Sequence, residues 1–259
     1  MSEGHERSPT AAVLLIGDEI LSGRTQDSNL AYIAKFLGRF GIDVCEARVV
    51  GDAEVAIVAA LNALRQRFTY VFTTGGIGPT HDDIITDAVG CAFGVPVAHH
   101  AEALAMLAAC YKPGEFNEMR RRMARIPRGA TLIRNSVSTA PGFQIGNVFV
   151  LAGIPKIMQA MLEEVGPRLA KGRLVSSRTI SAQVGEGRIA ARLAEIQREH
   201  PTVAIGSYPF FTEGGSGVHL VVRGRDGNAV EQAARDIEVA LGDDGISSSR
   251  IESEAAIIY

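Results

Sequence analysis

The stretch Thr73-Thr74-Gly75-Gly76-Ile77-Gly78-Pro79-Thr80-His81-Asp82-Asp83 joins a glycine-rich turn to an acidic end. Glycines lack a Cβ, so a backbone built from them can take positive φ and approach a ligand closely. Unpaired N–H groups of such a turn, with those opening a following helix, make an anion site. Glycines also suit a tight strand-to-helix turn that binds nothing, and on the glycines alone the two readings weigh equally. The stretch is neither the Walker pattern, which needs Gly-Lys-Ser/Thr, nor the dinucleotide GxGxxG pattern. Thr80 to Asp83 fits a capping box, in which Asp83 reaches back to the Thr80 N–H. That leaves Asp82 without a structural task. A carboxylate beside a phosphate is repulsive unless a cation sits between them, so Asp82 points to a divalent metal.

Acids recur earlier in the chain, in Gly17-Asp18-Glu19, in Asp27-Ser28-Asn29 and at Asp52. Asp52 also reads as a helix N-cap. Acids after three successive strands gather at one edge of a parallel sheet, where ligands bind in such folds. Asn135, Thr139-Ala140-Pro141-Gly142-Phe143 and Gly153-Ile154-Pro155 are small-residue turns able to close the same pocket, although each alone suits a hairpin or a helix entry. Arg120-Arg121-Arg122, Arg125 and Arg128 read as a solvated helix face. Gly214-Gly215-Ser216-Gly217 reads as a hairpin loop rather than an RNA-binding GxxG. Adjacent His99 and His100 share no face and make no metal site.

The elements that must hold these residues alternate from Ala11 onward. Ala11 to Ile16 is a continuous apolar run, a strand covered on both faces. Leu30, Ile33, Ala34, Leu37 and Phe40 follow at helical spacing, then a strand over Ile42 to Val50, a helix carrying Val55 to Leu64, and a strand over Phe68 to Thr73. A helix is expected from Thr80 to about Phe93. This order predicts a three-layer α/β domain with a mostly parallel sheet. Pro96 to Arg125 reads as a mainly helical excursion broken at Pro113-Gly114. Strands at Thr131 to Ile133 and Gly142 to Leu151, the latter turning at Gly146-Asn147, precede a helix over Ile154 to Ala170 with Pro155 in its first turn. After Lys171-Gly172-Arg173 a β-α-β-β-α order predicts a small α+β domain, and Ser247 to Tyr259 is ambiguous. The expected division is a loose tail over 1–10, an α/β domain over 11–172 and the small domain over 173–259.

The chain has 259 residues, 46% apolar and 21% charged, an ordinary globular composition. A formal charge of -3 with no dominant basic stretch argues against nucleic acid as partner. Three cysteines without CxxC spacing read as reduced thiols. No apolar run is long enough for a membrane span, and the N-terminus carries no apolar leader, so a cytoplasmic protein is expected.

The motifs Gly17-Asp18-Glu19-Ile20-Leu21-x-Gly23, Asp27-x-Asn29, Thr73 to Asp83, Thr139 to Phe143 and Gly153-Ile154-Pro155 resemble the molybdopterin-binding domain of molybdenum-cofactor biosynthesis proteins. Within that family the sequence is most similar to the N-terminal domain of the competence/damage-inducible protein A family and to the molybdopterin-binding-like domain of FAD synthase. The resemblance covers about residues 11–170. The tail, with Gly185 to Ala190 and Ile205 to Pro209, resembles the small KH-type domain of the competence family more weakly. That family usually adds an amidase domain, and no amidase activity is expected of this chain. The resemblance implies a metal-dependent pyrophosphatase acting on ADP-ribose in one branch, FAD hydrolysis in the second, and adenylylation or metal insertion in the molybdenum branch. It also implies a homodimer. The acidic positions of the adenylylating branch match Asp52 and Asp83. Three positions depart from the family pattern: Ile85 replaces a usual Thr, Leu151-Ala152-Gly153 replaces Leu-Pro-Gly, and Glu186-Gly187 replaces Glu-Ser.

Residues and resemblance together nominate Asp82, Asp83 and Asp52 as catalytic. They nominate Asp18, Glu19 and Asp82 as ligands of Mg²⁺, Mn²⁺ or Co²⁺. The small-molecule ligand is expected to meet Gly17, Asp18, Glu19, Asp27, Asn29, Thr74, Gly75, Gly76, Gly78, Pro79, Thr80, Asn135, Thr139, Gly142, Gly153 and Pro155. Hydrolysis of a dinucleotide such as ADP-ribose or FAD is the first expectation. Binding of molybdopterin without hydrolysis, or its adenylylation, is the alternative.

Overall fold

The structure is a computed structural model that describes residues 8–112, 115–212 and 215–251. The chain forms two compact units, Met1–Gly172 and Arg173–Tyr259.

In the first unit, β1 (Thr10–Ile16) is followed by α1 (Asp18–Leu21) and α2 (Asn29–Gly38), then by β2 (Asp43–Val50), α3 (Glu54–Arg67) and β3 (Tyr70–Thr74). After α4 (Ile85–Phe93) come β4 (Val97–His99), α5 (Ala101–Ala108), α6 (Glu118–Arg122) and β5 (Arg125–Pro127). Then β6 (Thr131–Ile133), β7 (Gly142–Ile145) and β8 (Val148–Leu151) lead into α7 (Pro155–Val165). The main sheet has the order β2-β1-β3-β8-β7-β6. β1 runs parallel to β2 and β3, β3 runs parallel to β8, and the β6-β7-β8 edge is antiparallel. The expected mostly parallel sheet between helices is therefore observed.

The apolar run of β1 resolves into two alternating faces, because successive strand side chains point to opposite sides. Ala12, Leu14 and Ile16 pack with Ile57, Leu61 and Leu64 of α3 and with Ile85, Ala88 and Val89 of α4. Ala11, Val13 and Leu15 pack with Ile33, Phe36 and Leu37 of α2 and with Met158, Met161 and Leu162 of α7. Each fully buried Leu, Ile or Phe contributes roughly 1.5–3 kcal/mol. The register sets Leu15 beside Thr74 and Thr74 beside Leu151, so β1, β3 and β8 end at one level.

Three expectations need correction. The helix expected from Thr80 starts at Ile85, because the Asp83 side chain satisfies the Thr80 N–H and closes a separate turn. Asp52 caps no helix: the N-cap of α3 is Ala53, and the Asp52 carboxylate is spent elsewhere. The excursion is not mainly helical throughout, because β4 and β5 pair antiparallel with Ala98 opposite Ile126. The break proposed at Pro113-Gly114 lies outside the described residues. The hairpin at Gly146-Asn147 joins β7 to β8 as expected.

The second unit holds β9 (Ser176–Ala182), α8 (Glu186–Glu199), β10 (Ala204–Thr212), β11 (Gly215–Gly224), α9 (Gly227–Asp243) and β12 (Ser248–Ile251). Its antiparallel sheet has the order β10-β11-β9-β12. The ambiguous C-terminal stretch thus supplies an edge strand, while 252–259, like 1–7, lies outside the described residues. Gly214 of the expected hairpin lies outside them too, although β10 and β11 do meet with Thr212 opposite Gly215. α9 buries Val230, Ala233, Ala234, Ile237, Ala240 and Leu241, the spacing of one helix face, against Ile180, Leu220 and Val222. Among the described residues no helix is long and apolar enough to cross a membrane.

Candidate functional site

A cavity of about 630 Å³ opens at the common end of β1, β3 and β8. Four segments line it: the loop after β1, the glycine turn after β3, the start of α7, and part of the 111–140 region. The turn itself is forced by close approach. Gly75 has φ 101°, and a Cβ there would stand 2.2 Å from the Ile16 carbonyl oxygen. Gly153 faces it, and a Cβ on Gly153 would lie 3.3 Å from the Gly75 Cα. At Gly78 a Cβ would come within 2.6 Å of the Asp83 carboxylate. Among the described residues, the N–H groups of Gly76, Ile77 and Gly78 donate to no protein acceptor, whereas the Gly76 carbonyl accepts from the Ile85 N–H at 3.3 Å. The turn is thus held by its carbonyl and leaves its donors open.

Of the residues nominated from sequence, Glu19, Asp27, Asn29, Thr74, Gly75, Gly76, Gly78, Pro79, Asp83, Gly153 and Pro155 border this cavity. Asp83 accepts from the Thr80 N–H at 2.7 Å and from the Thr80 hydroxyl, the reciprocal bond anticipated from the sequence. The Asp27 carboxylate accepts from the N–H groups of Asn29 and Leu30 at the start of α2, whose N-cap is Ser28. Asn29 is buried and donates its Nδ2 to the Gly153 carbonyl at 2.8 Å, tying the loop after β1 to the start of α7. The Glu19 carboxylate accepts no protein hydrogen bond among the described residues.

The remaining nominated residues lie off the cavity wall. The Asp18 N–H donates to Asp52 Oδ2 at 3.0 Å, and the Asp52 N–H donates to Asp18 Oδ1 at 3.4 Å. This reciprocal tie joins the loops after β1 and β2, and it explains Gly51, where a Cβ would meet Asp18 Oδ1 at 2.3 Å. The Asp82 side chain is 61% exposed beside His81. A hydrogen bond from Thr80, then one from its own backbone, holds the Asp82 carboxyl below the usual carboxylate range. Gly17 has φ 155° and stands against the Glu19 carboxylate. Asn135 accepts from the N–H groups of Val137 and Ser138 and donates to the Ala140 carbonyl, so it shapes the loop whose Ser138 and Ala140 do line the cavity. Thr139, with φ 62°, contacts the Cys110 thiol at 3.1 Å. Gly142 is buried in β7, where a Cβ would strike the Val150 carbonyl oxygen. Asp18, Glu19 and Asp82 therefore do not converge, and among the described residues no three His, Cys, Asp or Glu side chains form a metal-sized group.

The sequence reading missed the apolar wall: Ile20, Ile77, Ile154 and Ile157, with Tyr111 and Met123 across the cavity. The isoleucines were visible as apolar residues inside otherwise polar motifs. No spacing rule brings Tyr111 and Met123 to the site. The lining carries three carboxylates, Glu19, Asp27 and Asp83, and no lysine, arginine or histidine among the described residues. Two of the family departures have a local reason. Ile85 is fully buried under Gly76, where a hydroxyl would lose apolar contacts, and the Ala152 N–H donates to the Met161 sulfur, a bond proline could not make.

Residues 12–171 match the family model described as "Probable molybdopterin binding domain", and 174–250 match that of the FAD synthase middle domain. A protein of Archaeoglobus fulgidus is 30% identical over 233 residues, covering 89% of this chain and 97% of its own length. A CinA-like protein of Syntrophotalea carbinolica is 38% identical over 165 residues, which span 61% of this chain and 40% of that longer protein. The crystal structure of CinA from Thermoplasma acidophilum, described as of unknown function, superposes with a TM-score of 0.59 at 34% identity, over 62% of this chain and 98% of that one.

Proposed function

Because the chain belongs to the molybdopterin-binding domain family, we propose that it uses this cavity as a metal-dependent pyrophosphatase acting on ADP-ribose, FAD or a similar dinucleotide. The observation that carries the reading is the charge of the cavity. Open N–H donors at Gly76, Ile77 and Gly78 share the cavity lining with Glu19, Asp27 and Asp83, and among the described residues that lining has no lysine, arginine or histidine. A phosphate ester placed on those donors meets like charges unless a cation arrives with it.

The donor chemistry suits a magnesium-like ion. Such ions keep several waters and take one or two carboxylates together with substrate phosphates, so a three-residue cage is not required. Glu19 and Asp83 are the carboxylates at the cavity that would hold it, in place of the Asp18, Glu19 and Asp82 set expected from sequence. When bound, the ion supplies Lewis-acid polarisation of the phosphoryl oxygens and eases ionisation of a water.

The protein's own residues do the rest. The amides of Gly76, Ile77 and Gly78 hold the phosphate undergoing attack, and each such charge-assisted bond contributes about 1.5–3 kcal/mol. Glu19, unengaged by protein donors, accepts a proton from the attacking water. The new P–O bond forms as the bridging P–O bond breaks, and two monophosphates leave. Ile20, Ile77 and Ile157 offer apolar surface to the ring end of the ligand. Asp83 is tied down by Thr80 and fixes the turn.

Binding of molybdopterin without hydrolysis, or its adenylylation, is the second reading, favoured by the family description. To separate the two, the protein is incubated with ADP-ribose or FAD and Mg²⁺, Mn²⁺ or Co²⁺. Metal-dependent release of AMP is expected. A folded protein with no turnover in any combination overturns the pyrophosphatase reading.

A further inference from the structure

Tyr111 is the one aromatic side chain among the described residues that line the cavity. Three neighbours hold it. The Arg120 guanidinium lies over its ring, 4.3 Å from the centroid. Arg120 is itself fixed: it donates to the Glu115 carbonyl, and Asn117 caps α6 by accepting from the Arg120 N–H. Phe116 lies parallel to Tyr111, with 9° between the ring planes, but the centroids are 5.8 Å apart. Fully overlapped rings would stand about 3.5–4 Å apart. Phe116 therefore widens the aromatic surface more than it covers it.

The third support is the residue before Tyr111 in the chain. The Cys110 thiol meets the Thr139 hydroxyl at 3.1 Å. Thr139 has φ 62°, a left-handed conformation that is costly for a β-branched residue. Its neighbours Ser138 and Ala140 line the same cavity. Tyr111 and Phe116 also pack at the edge of the α3–α4 core. Packing alone would need only apolar bulk at this position, which leucine supplies. A ring set between a guanidinium and a cavity has a defined plane, and a fixed ring plane is what stacking on a flat ligand requires.

Resting on the reading above, we infer that Tyr111 is a specificity-determining residue of this cavity: the adenine ring, common to ADP-ribose and FAD, stacks on the face of Tyr111 that Arg120 leaves free. The Gly76–Gly78 amides take the phosphates whatever they carry, and Tyr111 selects for the base attached to them.

ADP and pyrophosphate differ by the nucleoside. Each, with Mg²⁺, is titrated calorimetrically into the full chain, into Tyr111→Leu and into Tyr111→Phe. Wild type should bind ADP about tenfold more tightly than pyrophosphate, the effect of one base stacked on a side-chain ring. Tyr111→Leu should erase that margin while leaving pyrophosphate within about twofold, and Tyr111→Phe, which keeps the ring, should keep the margin. A margin that survives Tyr111→Leu, a margin absent from wild type, or pyrophosphate weakened as much as ADP overturns the inference alone. Wild type binding neither ligand overturns the pyrophosphatase reading as well. Should Tyr111→Leu fail to fold, Tyr111→Trp decides: the chain has no tryptophan, so the indole reports on this position alone. ADP with Mg²⁺ should quench its fluorescence and pyrophosphate with Mg²⁺ should not, and an equal response to both contradicts a stacked base.

Discussion

At the scale of single residues, two neighbours in sequence have opposite surroundings. Asp83 is folded back onto Thr80 at the cavity wall, and Asp82 points to solvent beside His81. From sequence, capping left Asp82 as the unexplained acid, and the reasoning was sound about the bond. A capping carboxylate stays available to the cavity, because it has lone pairs to spare after two hydrogen bonds. Asp82→Asn should accordingly leave turnover within about twofold, whereas Glu19→Gln should lower kcat by roughly 10²–10⁴, the usual worth of a general base. Steady-state kinetics on the two variants checks the contrast. Gly78→Ala should cost about 1–3 kcal/mol of stability and displace Asp83, since a Cβ has no room beside that carboxylate. Chemical denaturation measures the first effect and loss of metal-dependent ligand binding the second.

At the scale of elements, hydrophobic periodicity carried most of the fold. The β1 run, the α2 stripe and the α9 face each pack as their spacing requires. What spacing could not show were contacts made by polar side chains across loops. Asp52 follows a strand and precedes a helix, the position of an N-cap, yet it serves the Asp18 N–H from the neighbouring loop. The β4–β5 pair is three residues a side, too short for any alternation to register. Asp52→Ala should leave the Asp18 N–H unpaired and cost about 1 kcal/mol. Proton exchange of that amide should rise while the β1 amides stay protected. In the second unit, Ile237→Ala should cost about 2–5 kcal/mol, as expected for a fully buried residue of α9 facing the sheet. A fall in the unfolding midpoint, with turnover in the cavity unchanged at low temperature, would bear this out.

At the scale of the whole molecule, each unit carries its own apolar core, and the family match covers chiefly the first. The second also carries an ionic network. Arg250 bridges Glu238 and Glu231, and Arg178 and Arg235 also meet Glu231. Arg250, before the other arginines, holds the Glu231 carboxyl below its ordinary value of 4.5. A depressed carboxyl adds stability that is present above its unfolded value and is lost as pH falls through the folded one. The second unit should therefore weaken below about pH 4.5, less steeply in high salt because the groups are exposed. Thermal melts across pH 3 to 6, with Glu231→Gln flattening the slope, measure it.

The proposed pyrophosphatase reading requires that the acidic cavity, with its open amides, take a phosphate ester only in company with a cation. Ligand binding to the folded state raises its apparent stability by mass action. The most direct measurement is the thermal shift given by ADP-ribose with Mg²⁺ or Mn²⁺ and again with a chelator. A shift of several degrees with the metal, and none with the chelator, is expected. An equal shift under both conditions would contradict it.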